Sequence, residues 1–218
     1  MSNSHKFSNM IFDWDGTIAM SLHLWLSGFR EGLREQGFFF SDTVIIKDFF
    51  YEHDKARIKY PDIDVIRLAS YANIYTRKHL GELELYKHAE KMLSIIKSRG
   101  MKIALVSSSS RQLLESGLET HDLTHYFDVI ITADDTTEHK PSPEGFNRAI
   151  KHLGAAREET LIIGDARTDI LAGKASSIKT CLFLPEENNP FYDFDELRKI
   201  GADFEISDLS ELEHILVN

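Results

Sequence analysis

The sequence predicts an α/β protein: a doubly wound parallel sheet interrupted by one all-helical insert. Three observations carry that prediction. Short apolar runs recur at residues 10–12, 102–106, 127–132, 161–163 and 180–184, and continuous apolar runs of this length suit strands covered on both faces. Segments with apolar residues at helical spacing alternate with them, which gives a parallel sheet with right-handed crossovers. After the first run, however, the pattern stays helical from residue 19 to residue 84. Residues 1–18 and 85–218 are therefore expected to form a sheet-bearing core, and 19–84 a helical cap.

Taken in order, the first strand, Met10-Ile11-Phe12, runs directly into Asp13-Trp14-Asp15-Gly16-Thr17, so its carboxyl end is polar and turns at Asp-Gly. A helix follows on Leu22, Trp25 or Leu26, Phe29 and Leu33, stopped by Gly37. A second starts at Ser41 or Asp42 and carries Ile45, Ile46, Phe49 and Phe50. Pro61 precedes a third, with Leu68, Tyr71, Ala72 and Tyr75 ahead of Gly81. These stripes are packing surfaces. Residues 85–98 give another amphipathic helix, on Ala89, Met92, Leu93 and Ile96, closed by Gly100.

The strand at 102–106 ends in Ser107-Ser108-Ser109-Ser110, and Ser109 and Gln112 have capping-box spacing for the next helix. After the strand at 127–132 comes His139-Lys140-Pro141-Ser142-Pro143, with Ser142 as N-cap and Pro143 as first residue of a helix through Leu153. The strand at 161–163 ends in Gly164-Asp165-Ala166-Arg167-Thr168-Asp169. Beyond the strand at 180–184 the tail offers the turn Asn188-Asn189-Pro190, a helix near Glu196, a short strand at 203–206 and a closing helix at 208–216.

Composition narrows the function classes. Hydrophobic residues at 42% and charged residues at 28% fit a soluble protein with a sizeable core. Lysine and arginine number 25 against 35 acids, and the net charge of -10 repels nucleic acid and anionic membrane, so no partner of either kind is expected. An anionic substrate would have to be drawn in locally, by a few cations or a bound metal. No apolar stretch reaches the length of a signal-peptide core or a membrane span, and a cytoplasmic location is expected. The single cysteine, Cys181, lies in an apolar run and reads as a small buried hydrophobe, with no internal disulfide available.

If the strands are parallel, Asp13 and Asp15, Ser107 and Ser108, Lys140, and Asp165 and Asp169 converge on one edge of the sheet. Each residue type has a bland explanation: turn acids, a helix cap, a solvated lysine. Their arrival at successive strand ends is what points to function, because ligands of open α/β sheets bind at the carboxyl ends of the strands. Asp13 and Asp15 are close enough to repel unless a cation or a shared proton intervenes. A cluster of aspartates without histidine or cysteine suits a hard cation such as Mg2+, which takes one or two carboxylates plus a substrate phosphate. Lys140 supplies a point charge for a phosphate oxygen. The hydroxyls of Ser107 and Ser108, with the free N–H groups of the following helix, supply neutral donors.

The order Asp13-Trp14-Asp15-Gly16-Thr17, Ser107, Lys140-Pro141, Gly164-Asp165-x-x-x-Asp169 resembles the four motifs of the haloacid dehalogenase-like hydrolase superfamily, and is most similar to its phosphoglycolate phosphatase and β-phosphoglucomutase-like group. The resemblance implies a Rossmann-like core, with residues 19–84 in the place of the helical cap. It implies Asp13 as the nucleophile that becomes an aspartyl-phosphate, and Asp15 as the acid that protonates the leaving oxygen and then the base that activates water. It implies Mg2+ held by the Asp13 carboxylate, the Asp15 carbonyl and Asp165, with Asp169 supporting, and phosphate held by Ser107, Ser108 and Lys140. Asp15 speaks against carbon–halogen hydrolysis, since the dehalogenases lack it.

The expected function is thus a magnesium-dependent phosphatase of a small phosphate ester, a monomer or homodimer. Two alternatives stay open: a sugar-phosphate mutase using the same aspartyl-phosphate, and a binding or regulatory protein that keeps the fold without turnover. In the cap, His53, Lys55, Arg57 and Lys59 form the dense run of possible cations, better explained as a solvated helix end than as a specificity site.

Overall fold

The computed structural model describes residues 6–50 and 53–217, with the backbone alone for 53–55 and 217. The chain divides into two compact units, residues 1–20 with 84–218, and residues 21–83.

The first unit is built on a parallel sheet of six strands: β1 (Asn9–Phe12), β2 (Lys102–Val106), β3 (Val129–Ile131), β4 (Thr160–Gly164), β5 (Lys179–Phe183) and β6 (Phe204–Ile206). Their order is β3-β2-β1-β4-β5-β6, all parallel. β1 is wholly buried and central, flanked by β2 and β4 in a register that sets Phe12 beside both Leu105 and Ile163. The chain therefore winds outward from β1 first one way and then the other. At such a reversal the loops after adjacent strands splay apart and leave a crevice.

Helices cover the sheet as its apolar runs require. α7 (Glu144–Leu153) packs on β2 and β3, and α8 (Arg167–Ala175) on β4 and β5. Phe146, Ala149, Ile150 and Leu153 of α7 and Ala172 of α8 share a buried cluster with Ile11, Ala104, Val106, Ile131 and Ile162 of the strands. α5 (Ala89–Ser98) packs on β2, while α6 (Arg111–Thr120), α9 (Phe194–Arg198) and α10 (Leu212–Val217) complete the unit. Cys181 is buried, and burial pushes its thiol pKa up, in keeping with a packing role.

Among the described residues of the second unit the regular elements are helices, chiefly α1 (Leu22–Glu35), α2 (Asp42–Phe49), α3 (His53–Lys59) and α4 (Val65–Lys78). α1 packs against α4. Ser41 caps α2, accepting from the Val44 N–H, and Asp64 caps α4 with bonds from Ile66 and Arg67. Of the possible cations, Arg57 is exposed and Lys59 pairs with Asp48 at 2.7 Å, as a solvated helix end would have them; the side chains of His53 and Lys55 lie outside the described residues.

Several boundaries differ from the sequence reading. α3 was not expected, because the sequence between Phe50 and Pro61 shows polar residues rather than an apolar stripe. α5 starts at Ala89 and not at residue 85, since Leu85 pairs with Ala19 in an isolated bridge and the Tyr86 N–H donates to the Ile18 carbonyl. β3 is three residues long. The capping box of Ser109 and Gln112 does not form: Ser110 is the N-cap of α6, and the Ser109 hydroxyl bonds elsewhere. Pro143 rather than Ser142 stands at the cap of α7, although the Ser142 hydroxyl still accepts from the Glu144 N–H at 3.4 Å. The closing segment begins as a short 3-10 turn at Leu209–Glu211, capped by Asp208.

Phe146, fully buried between α7 and the sheet, gives a direct check of this core. Phe146→Ala should lower the unfolding free energy by about 3–5 kcal/mol, the usual cost of truncating a buried phenylalanine. Urea unfolding followed by circular dichroism measures it; a loss below about 1 kcal/mol would mean the helix does not pack there.

Candidate active site at the carboxyl edge of the sheet

Three adjacent strands deliver the site. β1 ends into Asp13, whose N–H donates to the Ile163 carbonyl at 2.9 Å; β2 ends into Ser107, whose N–H donates to the Ile131 carbonyl at 3.0 Å; β4 ends into Asp165. The sheet pairing thus continues one residue past β1 and β2 and fixes the backbone under Asp13 and Ser107. Asp169 comes from the first turn of α8 and accepts from the Ala166 N–H at 3.1 Å.

Two glycines allow the loops to close. Gly16 has φ +80°, and a Cβ there would fall 2.1 Å from Asp165 Oδ2. At Gly164 a Cβ would fall 2.5 Å from the Asp169 side chain. Only a residue without Cβ fits either place.

Asp13, Asp165 and Asp169 are buried, and each places a carboxylate oxygen within 4.8 Å of the others. Lys140 Nζ donates to Asp13 Oδ1 at 2.6 Å, to Asp169 Oδ1 at 2.7 Å and to the Val106 carbonyl at 3.2 Å. Its side chain is 7% exposed. Burial disfavours the ammonium, but Asp13 and Asp169 overcome that and hold its pKa above the ordinary lysine value. Sequence reading made Lys140 a charge for substrate phosphate; its three donors instead point at the protein, and it neutralises two of the three carboxylates.

The third carboxylate has neutral partners. Asp165 Oδ1 accepts from the Thr17 hydroxyl at 2.9 Å, and Oδ2 from the Tyr192 phenol at 2.6 Å and the Asn188 amide at 3.4 Å. Burial, with the Asp169 charge beside it, pushes the Asp165 pKa up to about 7. Burial likewise raises Asp13 well above the usual carboxylate range, against the pull of Lys140.

Asp15 sits apart from this trio. Its Oδ2 accepts from the Ser109 hydroxyl at 2.7 Å, and the Ser109 N–H in turn donates to Ser107 Oγ at 3.0 Å. Its carboxylate is not among the three clustered ones. Ser107 is buried and Ser108 exposed. Sequence reading missed Ser109, which it treated as a cap, Asn188, which it read as part of the turn Asn188-Asn189-Pro190, and Tyr192, which no pattern marked.

The trio fits a divalent cation. Three buried carboxylates carry up to three negative charges against one lysine, their oxygens are hard, and their spacing is one that a small ion bridges.

The sequence matches the family model described as haloacid dehalogenase-like hydrolase over residues 10–183. The chain belongs to that family. A pyrophosphatase PpaX from Bacillus mycoides is 31% identical over 180 residues, covering 80% of this chain and 82% of the relative. Another, from Bacillus cereus, is 28% identical over 98% of both chains. Among solved structures, CbbY from Rhodobacter sphaeroides in complex with phosphate superposes with a TM-score of 0.79 at 18% identity, over 96% of this chain and 99% of that one. A hydrolase from Pseudomonas syringae gives 0.80 at 23% identity, over 95% and 97%. At these identities the structures establish the shared fold. No helix among the described residues is long and apolar enough to cross a membrane.

The raised Asp165 pKa has a measurable consequence. In the unfolded chain this carboxyl titrates near 3.8 and in the folded protein at about 7, so between those values the native state holds a proton that the unfolded state releases. Its contribution to stability therefore declines as pH rises through that window. A cation that binds the ionised trio offsets the loss, so the rise in melting temperature on adding Mg2+ should be larger at about pH 8 than at about pH 5. Scanning fluorimetry with Mg2+ against chelator measures the difference; equal shifts at both pH values would place the ion elsewhere.

Proposed function

We propose that this chain is a magnesium-dependent phosphatase that hydrolyses a small phosphate ester through an aspartyl-phosphate on Asp13. The observation that carries this reading is the separation of the two aspartates of Asp13-Trp14-Asp15. One lies among buried acids, bonded to Lys140; the other lies outside that cluster, bonded to Ser109. Two carboxylates in different environments can take different roles in one reaction.

In the first half, a carboxylate oxygen of Asp13 attacks phosphorus, the ester P–O bond breaks, and Asp15 gives its proton to the departing oxygen. In the second, Asp15 takes a proton from a water that attacks the same phosphorus, which releases phosphate and restores the Asp13 carboxylate. Lys140 stays charged throughout and holds Asp13 and Asp169 in place. Ser107, Ser108 and the N–H groups at the start of α6 are assigned to the phosphoryl oxygens. Magnesium, held by Asp13, Asp165, Asp169 and the Asp15 carbonyl, would neutralise charge on the phosphate as it transfers. Substrate choice is assigned to the helical unit, residues 21–83, acting as a lid.

Family membership and relatives named as pyrophosphatases support phosphate chemistry. Those names make pyrophosphate a necessary member of any substrate panel, beside alkyl and aryl phosphates. Turnover should vanish on chelation and return with Mg2+; activity that survives exhaustive chelation would remove magnesium from the reading.

The two aspartates should part in mutants. Asp13→Asn should lower turnover on the order of 10⁴-fold or more with every substrate, as loss of an enzyme nucleophile does. Asp15→Asn should still accept phosphate from an activated aryl ester, whose leaving group needs little protonation, but should hydrolyse the intermediate slowly. Acid-quenched intact mass spectrometry should then find one added phosphoryl group on Asp15→Asn and none on Asp13→Asn. Full activity of Asp15→Asn on an alkyl phosphate would reject the assignment.

A further inference from the structure

The segment after β5 reaches back to the site in a way that the catalytic scheme does not use. Pro185 leads into a 3-10 turn, Glu186–Asn188, and the chain then passes Tyr192 before α9. Asn188 is a fully buried amide, and its Nδ2 donates to the Gly16 carbonyl at 2.9 Å and to Asp165 Oδ2 at 3.4 Å. The Tyr86 phenol donates to Asn188 Oδ1. The Gly16 carbonyl, which can only accept, settles which end of the amide faces the site: the nitrogen must face Gly16 and Asp165, and the oxygen is left to accept from Tyr86. The Tyr86 ring is itself held edge-on to Phe183 of β5, with centroids 5.2 Å apart.

We infer that Asn188 and Tyr192 are positioning residues, which clamp the Asp165 carboxylate and the Gly16 turn in the geometry a divalent cation requires. The inference rests on the metal-site reading given above. Its physical content lies in the kind of partner Asp165 has. Asp13 and Asp169 are each bonded to the Lys140 ammonium, which cancels charge. Asp165, among the described residues, is bonded by a hydroxyl, a phenol and an amide, none of which carries charge. Such donors stop rotation of the carboxylate and leave its negative charge for a cation. They also favour the ionised form, opposing the burial that raises its pKa.

The same clamp secures the loop from the other side. Gly16 has to keep a positive φ with its backbone against Asp165, and the Asn188 bond to its carbonyl ties that turn to the strand-β5 side of the sheet. Thr17, the next residue, then delivers its hydroxyl to Asp165 Oδ1. Partners that orient a metal ligand are typically worth 10- to 100-fold in metal affinity.

The test uses Mn2+ as the probe, counted by the electron paramagnetic resonance of the free ion, on the full chain. Tyr192→Phe removes only the phenol oxygen and keeps the ring against Ile170, Leu182, Leu184 and Leu197. Its cation-free melting temperature should therefore change little, whereas its dissociation constant for Mn2+ should rise about 10- to 100-fold, and turnover of an aryl phosphate should recover as Mn2+ is raised. Asn188→Ala should weaken Mn2+ binding in the same direction. A Mn2+ affinity in Tyr192→Phe within about twofold of wild type would overturn the clamp. Wild-type protein that binds no Mn2+ would instead overturn the metal-site reading on which the clamp rests, so the two failures are told apart by the wild-type control.

Discussion

The site depends on one buried ammonium. Lys140 enters between Asp13 and Asp169 with its third donor on the Val106 carbonyl, and so links the ends of β1 and β2 to the first turn of α8. Without it, two ionised carboxylates would face each other in a place where water cannot screen them, an arrangement that costs several kcal/mol per ion. With it, all three donors of the lysine are used. The close loops follow from the same demand. Asp165 and Asp169 come close to Asp13 only because Gly16 and Gly164 carry no Cβ to hold them off.

Much of this was legible in the residues. Apolar runs of parallel-strand type gave the core strands, and the polar residue immediately after each run gave Asp13, Ser107 and Asp165 at one edge, because a parallel sheet places all carboxyl ends together. What sequence could not give was direction. Lys140 is far in sequence from Asp13 and stands in a loop, so its side chain read as a free charge for substrate; only the fold shows it turned inward onto protein carboxylates. Ser109 has the spacing of a helix cap, and local spacing cannot reveal that a carboxylate 94 residues earlier competes for its hydroxyl. Asn188 and Tyr192 are less legible still, since an Asn-Asn-Pro turn is ordinary chain punctuation until tertiary structure brings Asn188 and the nearby Tyr192 to Asp165. α3 escaped for a different reason: helix stability there does not come from an apolar stripe that periodicity could find.

The two aspartates of the first loop illustrate how two residues' separation becomes a difference in chemistry. Asp13 continues the strand and points into the crowd of acids at the centre of the sheet. Asp15, past the turn toward Gly16, is partly exposed and reaches Ser109 of the neighbouring loop. The serine run after β2 thereby has two functions: Ser107 accepts from the backbone of Ser109 and shapes the loop, and Ser109 holds Asp15. An acid and base must be near the reacting centre without being neutralised by it, and a hydroxyl partner achieves that where a lysine would not.

The cost of the arrangement argues for its use. Burial raises the Asp13 and Asp165 pKa values, so the folded protein without a cation is penalised for ionising the groups it has gathered. Apolar residues of similar size at these positions would pack on the same sheet and remove the penalty, because buried charge networks are often neutral or unfavourable for stability. A protein that only needed this fold has no reason to keep three such acids within 4.8 Å. A protein that must bring a cation and a phosphate dianion to one carboxylate has every reason, since each adds a charge that the others then compensate. A cation bound by the three carboxylates would relieve that penalty by compensating their charge.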